Sequence, residues 1–297
     1  MRTLFSLLVS ALALTAAPAF AQEPDTLTAN DGWRSSLVTQ LSASQAAFSN
    51  WQEGGVNALA VSVSGDGQFD RVLGNVLVTQ EARAAFGLLK QDTLEARKAE
   101  DVIRYLLTAD MLTGGVIRPT ASFGLRTQFA PGYDFSPDAA DYPSLTVTPG
   151  ERLKVSDFGS PAQFTQSAGV AYIPGGGFEA RVGLGLKETV VTIERLRPVF
   201  GNDPDQAVRV EAGLDAGAKL TREIVPNVLL KSRLGAFQAF NQVGNVAPDV
   251  IWENTLAMKV NEFLNVTLDT ATLYDQDISS DLQLKQVLSV GVSFVFI

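Results

Sequence analysis

The sequence predicts an all-β chain, an antiparallel up-and-down transmembrane β-barrel of about twelve strands behind a cleaved leader. Three observations lead there. Apolar and polar residues alternate with period two along most of the chain, as in Leu288, Val290, Val292, Phe294 and Phe296 against Ser289, Gly291 and Ser293. Past the leader, no run approaches the ~18 apolar residues that a spanning helix needs. Connections between the alternating segments fall by turns into a short class and a longer, more polar class.

The chain opens with Met1-Arg2, an apolar run from Leu4 to Ala17, and Ala19-Phe20-Ala21 before Gln22. A basic start, a short apolar segment and an A-x-A site make residues 1–21 a secretory signal peptide. Residues 22–36 are polar and aperiodic and read as a periplasmic N-terminal arm. Residues 37–297 show no Pro/Gly/Ser-rich linker and no shift in composition, which favours one barrel domain.

Strand-like segments then follow in order. Leu37–Asn50 is the first, and Ala58–Phe69 sets Leu59, Val61, Val63 and Phe69 on one face. Asn75–Leu89 opposes Val76, Val78, Ala82, Ala84, Phe86 and Leu88 to Glu81 and Arg83. Val102–Leu112 and Val116–Phe129 repeat the scheme; Pro119 sits near a strand start, where a lost ladder bond matters least. Phe164–Ile173 and Phe178–Thr192 form a hairpin across Pro174-Gly175-Gly176-Gly177. Val208–Thr221, Asn227–Phe240, Val250–Val260, Leu264–Leu273 and Leu282–Phe296 complete the set. Turns at 260–264, 221–227, 174–177, 113–115 and 70–74 share one side and are short. The connections 275–281, 241–249, 193–207, 130–163 and 91–101 share the other side and are expected to be longer, as external loops are. The 130–163 loop either folds inward as a constriction or lies on the surface. Trp252, Phe263, Tyr274, Phe294 and Phe296 near strand ends suit an interfacial aromatic girdle.

Composition closes several doors. Without cysteine there is no disulfide, lipidation site or thiolate metal site, and without histidine the Ser-His-Asp arrangement is excluded. Loss of the leader takes Arg2 with it and moves the formal charge from −9 to −10, which argues against a nucleic-acid partner. There is no G-x-S-x-G elbow and no phosphate-binding glycine loop, so no enzyme, cofactor or metal is expected. Ser64-Gly65-Asp66-Gly67 before Gln68-Phe69-Asp70 reads as a β-turn rather than a calcium loop, since the spaced carboxylates are missing. Glu211 and Asp215 in one strand would lie about 13 Å apart, which suits structural pairing better than glycoside hydrolysis.

The polar faces carry the chemistry that is left. The lumen-facing candidates are Arg83, Arg104, Arg118, Arg126, Glu179, Arg181, Lys187, Arg209, Glu211, Asp215, Lys219 and Arg233. Counting each strand's polar side, the wall carries about five more positive than negative charges, a basic-leaning lumen in an acidic protein. One reading is a lattice of salt bridges that braces the barrel; the other is a narrow passive channel that attracts a small anionic solute. Gly183, Gly185, Gly213, Gly217, Gly235 and Gly291 on the same faces either make room in the bore or let the wall curve.

The last segment, ending in Phe294-Val295-Phe296-Ile297, resembles the closing strand of bacterial outer-membrane barrels. That resemblance implies a Gram-negative outer membrane, contact with its lipids, and recognition by the barrel-assembly machinery through this strand. Four further elements carry a family resemblance. Asn50-Trp51-Gln52-Glu53-Gly54-Gly55-Val56-Asn57 resembles an NW-x-x-GG-x-N signature, and Ala99-Glu100-Asp101 a degenerate KTDD-like element. Thr127-Gln128-Phe129-Ala130-Pro131-Gly132-Tyr133 is similar to TQF-x-x-GY, and Ser156-Asp157-Phe158-Gly159-Ser160-Pro161 to SDF-x-SP. In this order they resemble an uncharacterised domain-of-unknown-function family of predicted outer-membrane barrels found mainly in Bacteroidetes and relatives. The resemblance implies a location and a fold, and brings no activity or catalytic residue. A soluble periplasmic β-protein binding a small ligand is the alternative reading.

Overall fold

A computed structural model describes residues 32–47, 56–142, 144–241, 247–261, 263–277 and 279–295. The leader, most of the expected arm, the Trp51 element up to Gly55 and Phe296 lie outside the described residues. The strands are β1 (Arg34–Ala46), β2 (Ala58–Leu73), β3 (Val76–Gln91), β4 (Arg97–Met111), β5 (Ile117–Thr127), β6 (Gly132–Asp134) and β7 (Leu153–Ser156). They continue with β8 (Ala162–Gly175), β9 (Phe178–Val190), β10 (Val208–Val225), β11 (Val228–Ala239), β12 (Asp249–Lys259), β13 (Leu264–Asp275) and β14 (Ser279–Val295).

Twelve of these close into one antiparallel barrel in the order β1-β14-β13-β12-β11-β10-β9-β8-β5-β4-β3-β2, while β6 and β7 pair separately above it. The fold is therefore the closed cylinder that the period predicts, not two stacked layers. Each strand pairs with its sequence neighbour, except that β5 passes over β6 and β7 to reach β8. One rim carries the turns at residues 74–75, 112–116, 176–177, 226–227 and 260–263. The other carries the remaining connections.

Two connections of that second rim are shorter than expected, because strands run on past their apolar stretch. Residues 92–96 join β3 to β4, and 276–278 join β13 to β14. In the first case a bulge after Gly87 lets Leu88 and Leu89 pair with Lys98 and Arg97. The Ser64–Asp70 stretch is a second departure. It lies inside β2, pairs with both β1 and β3, and is no turn. Gly65 and Gly67 take the outward positions between Val63 and Phe69, so the apolar signal lapses while the alternation continues through lumen-facing Asp66.

Burial is inverted relative to a water-soluble domain. Among the described residues the buried apolar set is small: Val72, Ala85, Ala162, Ala171, Val191, Leu196 and Phe237. The buried polar set is larger and includes Asp110, Lys187, Glu211 and Asp275. Large apolar side chains stand outside at every second position: Leu59, Val61 and Val63 on β2, Val182, Leu184 and Leu186 on β9, Leu282, Leu284, Leu288 and Val290 on β14. A continuous apolar exterior of this extent is what hydrocarbon contact requires and water penalises. Trp252 and Phe263 stand exposed at opposite ends of β12 and its turn.

Closure joins Val38–Ala43 of β1 to Val290–Val295 of β14. Among the described residues this seam has six paired positions, against sixteen between β2 and β3. Gly291 lies in it, because a Cβ there would sit 2.5 Å from Ser42 Oγ and 2.7 Å from the Leu41 carbonyl. The gap lets Gln40 reach past β14 to Thr267 on β13, at 3.1 Å.

Candidate functional site

The bore is crossed by ion pairs. In a twelve-strand cylinder the strand six places away is the diametrically opposite one, and two pairs make that span. Arg104 on β4 pairs with Glu253 on β12, and Arg233 on β11 pairs with Glu81 on β3. Lys219 on β10 also reaches Glu81, and Arg126 on β5 approaches Glu253 at 3.5 Å. Shorter chords complete the lattice. Arg181 on β9 pairs with Asp110 on β4, and Lys187 with Glu211 at 2.9 Å and with Asp249 on β12. Arg209 joins Glu211 at 3.2 Å to Asp277 at 2.5 Å. Charges in a bore of low dielectric persist when each has a partner, and chords between opposite walls resist ovalisation of the cylinder.

The lattice has a sequence origin in register. Arg83, Arg104 and Arg126 are directly cross-strand, with Asp66 at one end of the row and Gln163 at the other. Like charges so placed repel unless carboxylates intervene. Here Asp66 and Glu100 serve Arg83, at 2.8 and 3.6 Å, and Glu253 serves the other two from across the bore.

Of the candidates read from sequence, Arg83, Arg104, Arg126, Glu179, Arg181, Lys187, Arg209, Glu211, Lys219 and Arg233 all enter this network; Glu179 meets Arg181 at 3.4 Å. Arg118 shares the face of Thr120 and Ser122 near the turn rim and has no ion-pair partner among the described residues. Asp215 likewise has no cation at ion-pair distance among them; it accepts a hydrogen bond from Ser167. The basic lean expected of the lumen is corrected by geometry. Asp66, Glu100, Asp249 and Asp277 also face lumen cations, and sequence reasoning misses them because they lie in the glycine stretch of β2 or beyond the apolar span of β4, β12 and β13.

Asp249, Asp275 and Asp277 bring carboxylate oxygens within 4.8 Å of one another at the loop rim. Lys187 and Arg209 already reach Asp249 and Asp277, so the chain supplies its own cations to this cluster.

Three of the four sequence motifs, those at 99–101, 127–133 and 156–161, meet at the same rim. The Asp101 carboxylate accepts the Phe129 N–H at 2.7 Å, the Ala130 N–H at 2.9 Å and Lys98 Nζ at 2.8 Å. Lys98 also donates to the Ala130 carbonyl at 2.8 Å. Gln128 Nε2 donates to the Ser160 carbonyl at 2.8 Å, Thr127 Oγ1 to the Pro161 carbonyl at 3.0 Å, and the Gly159 N–H to the Gln128 carbonyl at 3.1 Å. Gly132 is fixed by space, since a Cβ there would collide with Ser156 Oγ. The 130–163 connection is thus a built cap whose β6–β7 ribbon and flanks pack onto the start of β4 and the connection before it. Arg97 covers the Phe135 ring at 4.0 Å, and Arg152 covers Tyr133 at 4.4 Å while pairing with Glu95 at 2.8 Å.

Among the described residues outside the strands, two ionisable groups are shifted. Burial, then the hydrogen bond to Asp134 and that residue's charge, pushes the Tyr142 phenol up to about 12. The hydrogen bond from Lys154 holds the Asp157 carboxyl below the usual carboxylate range.

A different connection turns inward. Residues 191–207 carry a 3-10 helix, Glu194–Phe200, anchored by fully buried Leu196 and by Asn202 Nδ2 donating to the Thr189 carbonyl at 3.0 Å. Phe200 from this segment lines a cavity of about 510 Å³. The cavity runs from Asp101, Gln128 and Asp275 at the loop rim to Thr108 and Thr120 deeper down, along the β4, β5, β8 to β12 side of the bore.

A closed twelve-strand barrel with an apolar exterior and an ion-paired interior is the class that fold and site define. Residues 43–133 match the model of a family described as a protein of unknown function (DUF3078). No curated protein matches the chain. Among solved structures it is similar to the translocator domain of the autotransporter NalP from Neisseria meningitidis, at 13% identity and a TM-score of 0.36, covering 90% of this chain and 89% of that one. It is also similar to an outer membrane channel from Pseudomonas putida F1, at 11% identity and a TM-score of 0.37, covering 93% and 99%. The Pseudomonas putida toluene transporter TodX is a third, at 11% identity and a TM-score of 0.29, covering 90% and 89%.

Proposed function

We propose that the chain is an outer-membrane barrel of a Gram-negative bacterium whose bore is barred, so that its role at rest is structural rather than conductive. The carrying observation is the pair of chords between opposite walls, Arg104–Glu253 and Arg233–Glu81. Outer-membrane lipids are the partner of the apolar exterior, and the barrel-assembly machinery would receive the chain through β14. No catalytic role is part of this reading, consistent with a chain that has neither histidine nor cysteine. A second reading, a narrow passive channel, draws support from the 510 Å³ cavity beside the chords. The balanced charge of the wall then favours a weakly selective passage over an anion-selective one.

Planar-bilayer recordings test the proposal. Wild-type barrel is expected to give no steady conductance, and the Glu81→Gln, Glu253→Gln double variant to give discrete openings, because cations left without carboxylates repel one another and swing aside. A stable open conductance of the wild type would overturn the barred-bore reading, and its ion selectivity would then test the channel.

A further inference from the structure

The lattice leaves two charged groups of the cavity wall under-used, and they are of opposite sign. Asp215 on β10 is half-buried, lines the cavity, and has no cation at ion-pair distance among the described residues. Arg126 on β5 is the more distant of two arginines sharing Glu253, and its side chain is 41% exposed against 24% for Arg104. Between them β8 is neutral and hydrogen-bonding, with Gln163, Thr165 and Ser167 lining the cavity, while the charges that β9 adds there, Glu179, Arg181 and Lys187, are held in ion pairs. Gly183, Gly185 and Gly217 around Asp215 leave the space in front of it open, and a Cβ at Gly185 would stand 3.2 Å from the Asp215 Cβ.

We infer that this cavity binds a small zwitterion, its ammonium group on Asp215 and its carboxylate on Arg126. Size and lining fit: binding cavities run from about 300 to 1,000 Å³ with a few convergent polar groups. A carboxylate withdrawn from water without a cation is costly, and a ligand ammonium relieves that cost. A purely anionic ligand would meet Asp215 as a like charge. The other cavity cations are occupied, since Lys219 and Arg233 hold Glu81, Arg181 holds Asp110, and Lys187 holds Glu211 and Asp249. Asp215 and Arg126 lie three strands apart, about 14 Å across at ~4.8 Å per strand. The register levels Arg126 with Arg209, six residues from Asp215, which adds ~20 Å along the strands at ~3.3 Å per residue. Both side chains reach inward from a wall that curves between them, which shortens the span, so the bound molecule has the charge separation of a peptide of about three to five residues, at ~3.5 Å per residue.

The test is calorimetric titration of the folded barrel in detergent with glycine and with oligoglycines of two to five residues. Acetate and methylammonium serve as single-charge controls. An oligoglycine of three to five residues is expected to bind at least about tenfold more tightly than either control, a difference that a second charged contact supplies. Asp215→Asn should reduce the peptide to the level of acetate, and Arg126→Gln to that of methylammonium. Arg118→Gln, on the same face but away from the cavity, should change neither. Retention of the compact band on unheated denaturing gels shows that each variant folds. Acetate binding as tightly as the peptides, or no saturable binding by any probe, overturns the inference. Because binding is read at equilibrium in micelles, a conducting wild type would sink the barred-bore proposal and leave this one standing.

Discussion

Asp101 holds the cap to the barrel, and replacing it with alanine should free the cap while sparing the cylinder. Its side chain is 2% exposed and accepts two backbone N–H groups and one ammonium. Hydrogen bonds to a charged acceptor contribute about 1.5–3 kcal/mol each, so the two amides together give ~3–6 kcal/mol. Breaking a buried ion pair costs a similar ~3–5 kcal/mol. Lys98 keeps the Ala130 carbonyl and Gln128 Oε1 as partners, which lowers the second figure and places the loss near ~4 kcal/mol. At about 1.4 kcal/mol per decade, the opening constant of the segment that begins at Phe129 should rise about three orders of magnitude. Hydrogen exchange read at Phe129, Ala130 and the β6–β7 amides measures this directly. The ladder amides of β9 and β10 serve as the internal reference. Asp157→Asn, at a half-buried carboxylate of the same cap whose partners Lys154 and Phe158 are local, should change protection by less than about tenfold. A loss of protection below tenfold in Asp101→Ala, or an equal loss throughout the barrel, would refute the anchoring role.

Three further outcomes are expected. Gly291→Val puts a side chain against Ser42 Oγ and the Leu41 carbonyl, so the seam should weaken by ~1–3 kcal/mol; a lower temperature of conversion from compact to extended gel mobility would show it. Leu184→Arg, at an outward position 67% exposed, should cost ~2–4 kcal/mol in lipid vesicles by urea titration, and an unchanged midpoint would mean that water faces this wall. For Tyr142 the neutral phenol donates to Asp134 at 3.0 Å, and its folded pKa lies above the free value of 10.0. The stabilisation from this contact is therefore intact below about 10 and lost as pH rises through about 12. Ultraviolet titration should find one late phenolate, which Asp134→Asn brings earlier.

The barrel is legible in the sequence because its signal is local. Val182, Leu184 and Leu186 must all face one way, and a slip of register by one residue would invert the whole strand. The partners of the lumen charges are not legible there. Whether Arg104 meets Glu253 depends on strand number and stagger, which are properties of closure and leave no trace in either strand alone. Strand ends are obscured for a related reason. Lys98, Glu100 and Asp249 continue the ladder above the apolar span, so they carry no alternation to mark them. Asp66 hides between Gly65 and Gly67, whose spacing imitates a turn. The cap motifs are visible as words, while their meeting around Asp101 and Ser160 requires the fold.

The suture between the first and last strands, six positions long among the described residues, sets how this cylinder comes apart. Elsewhere the wall unzips at the expense of many bonds together, and hydrocarbon offers freed amides no water to replace them. At the suture no short turn holds the two edges together, so mechanical or thermal stress is released there before any hairpin opens. The same place is the last to be sewn, since its two edges are the farthest apart along the chain. A covalent staple across it should therefore harden the protein more than one placed between any two consecutive strands.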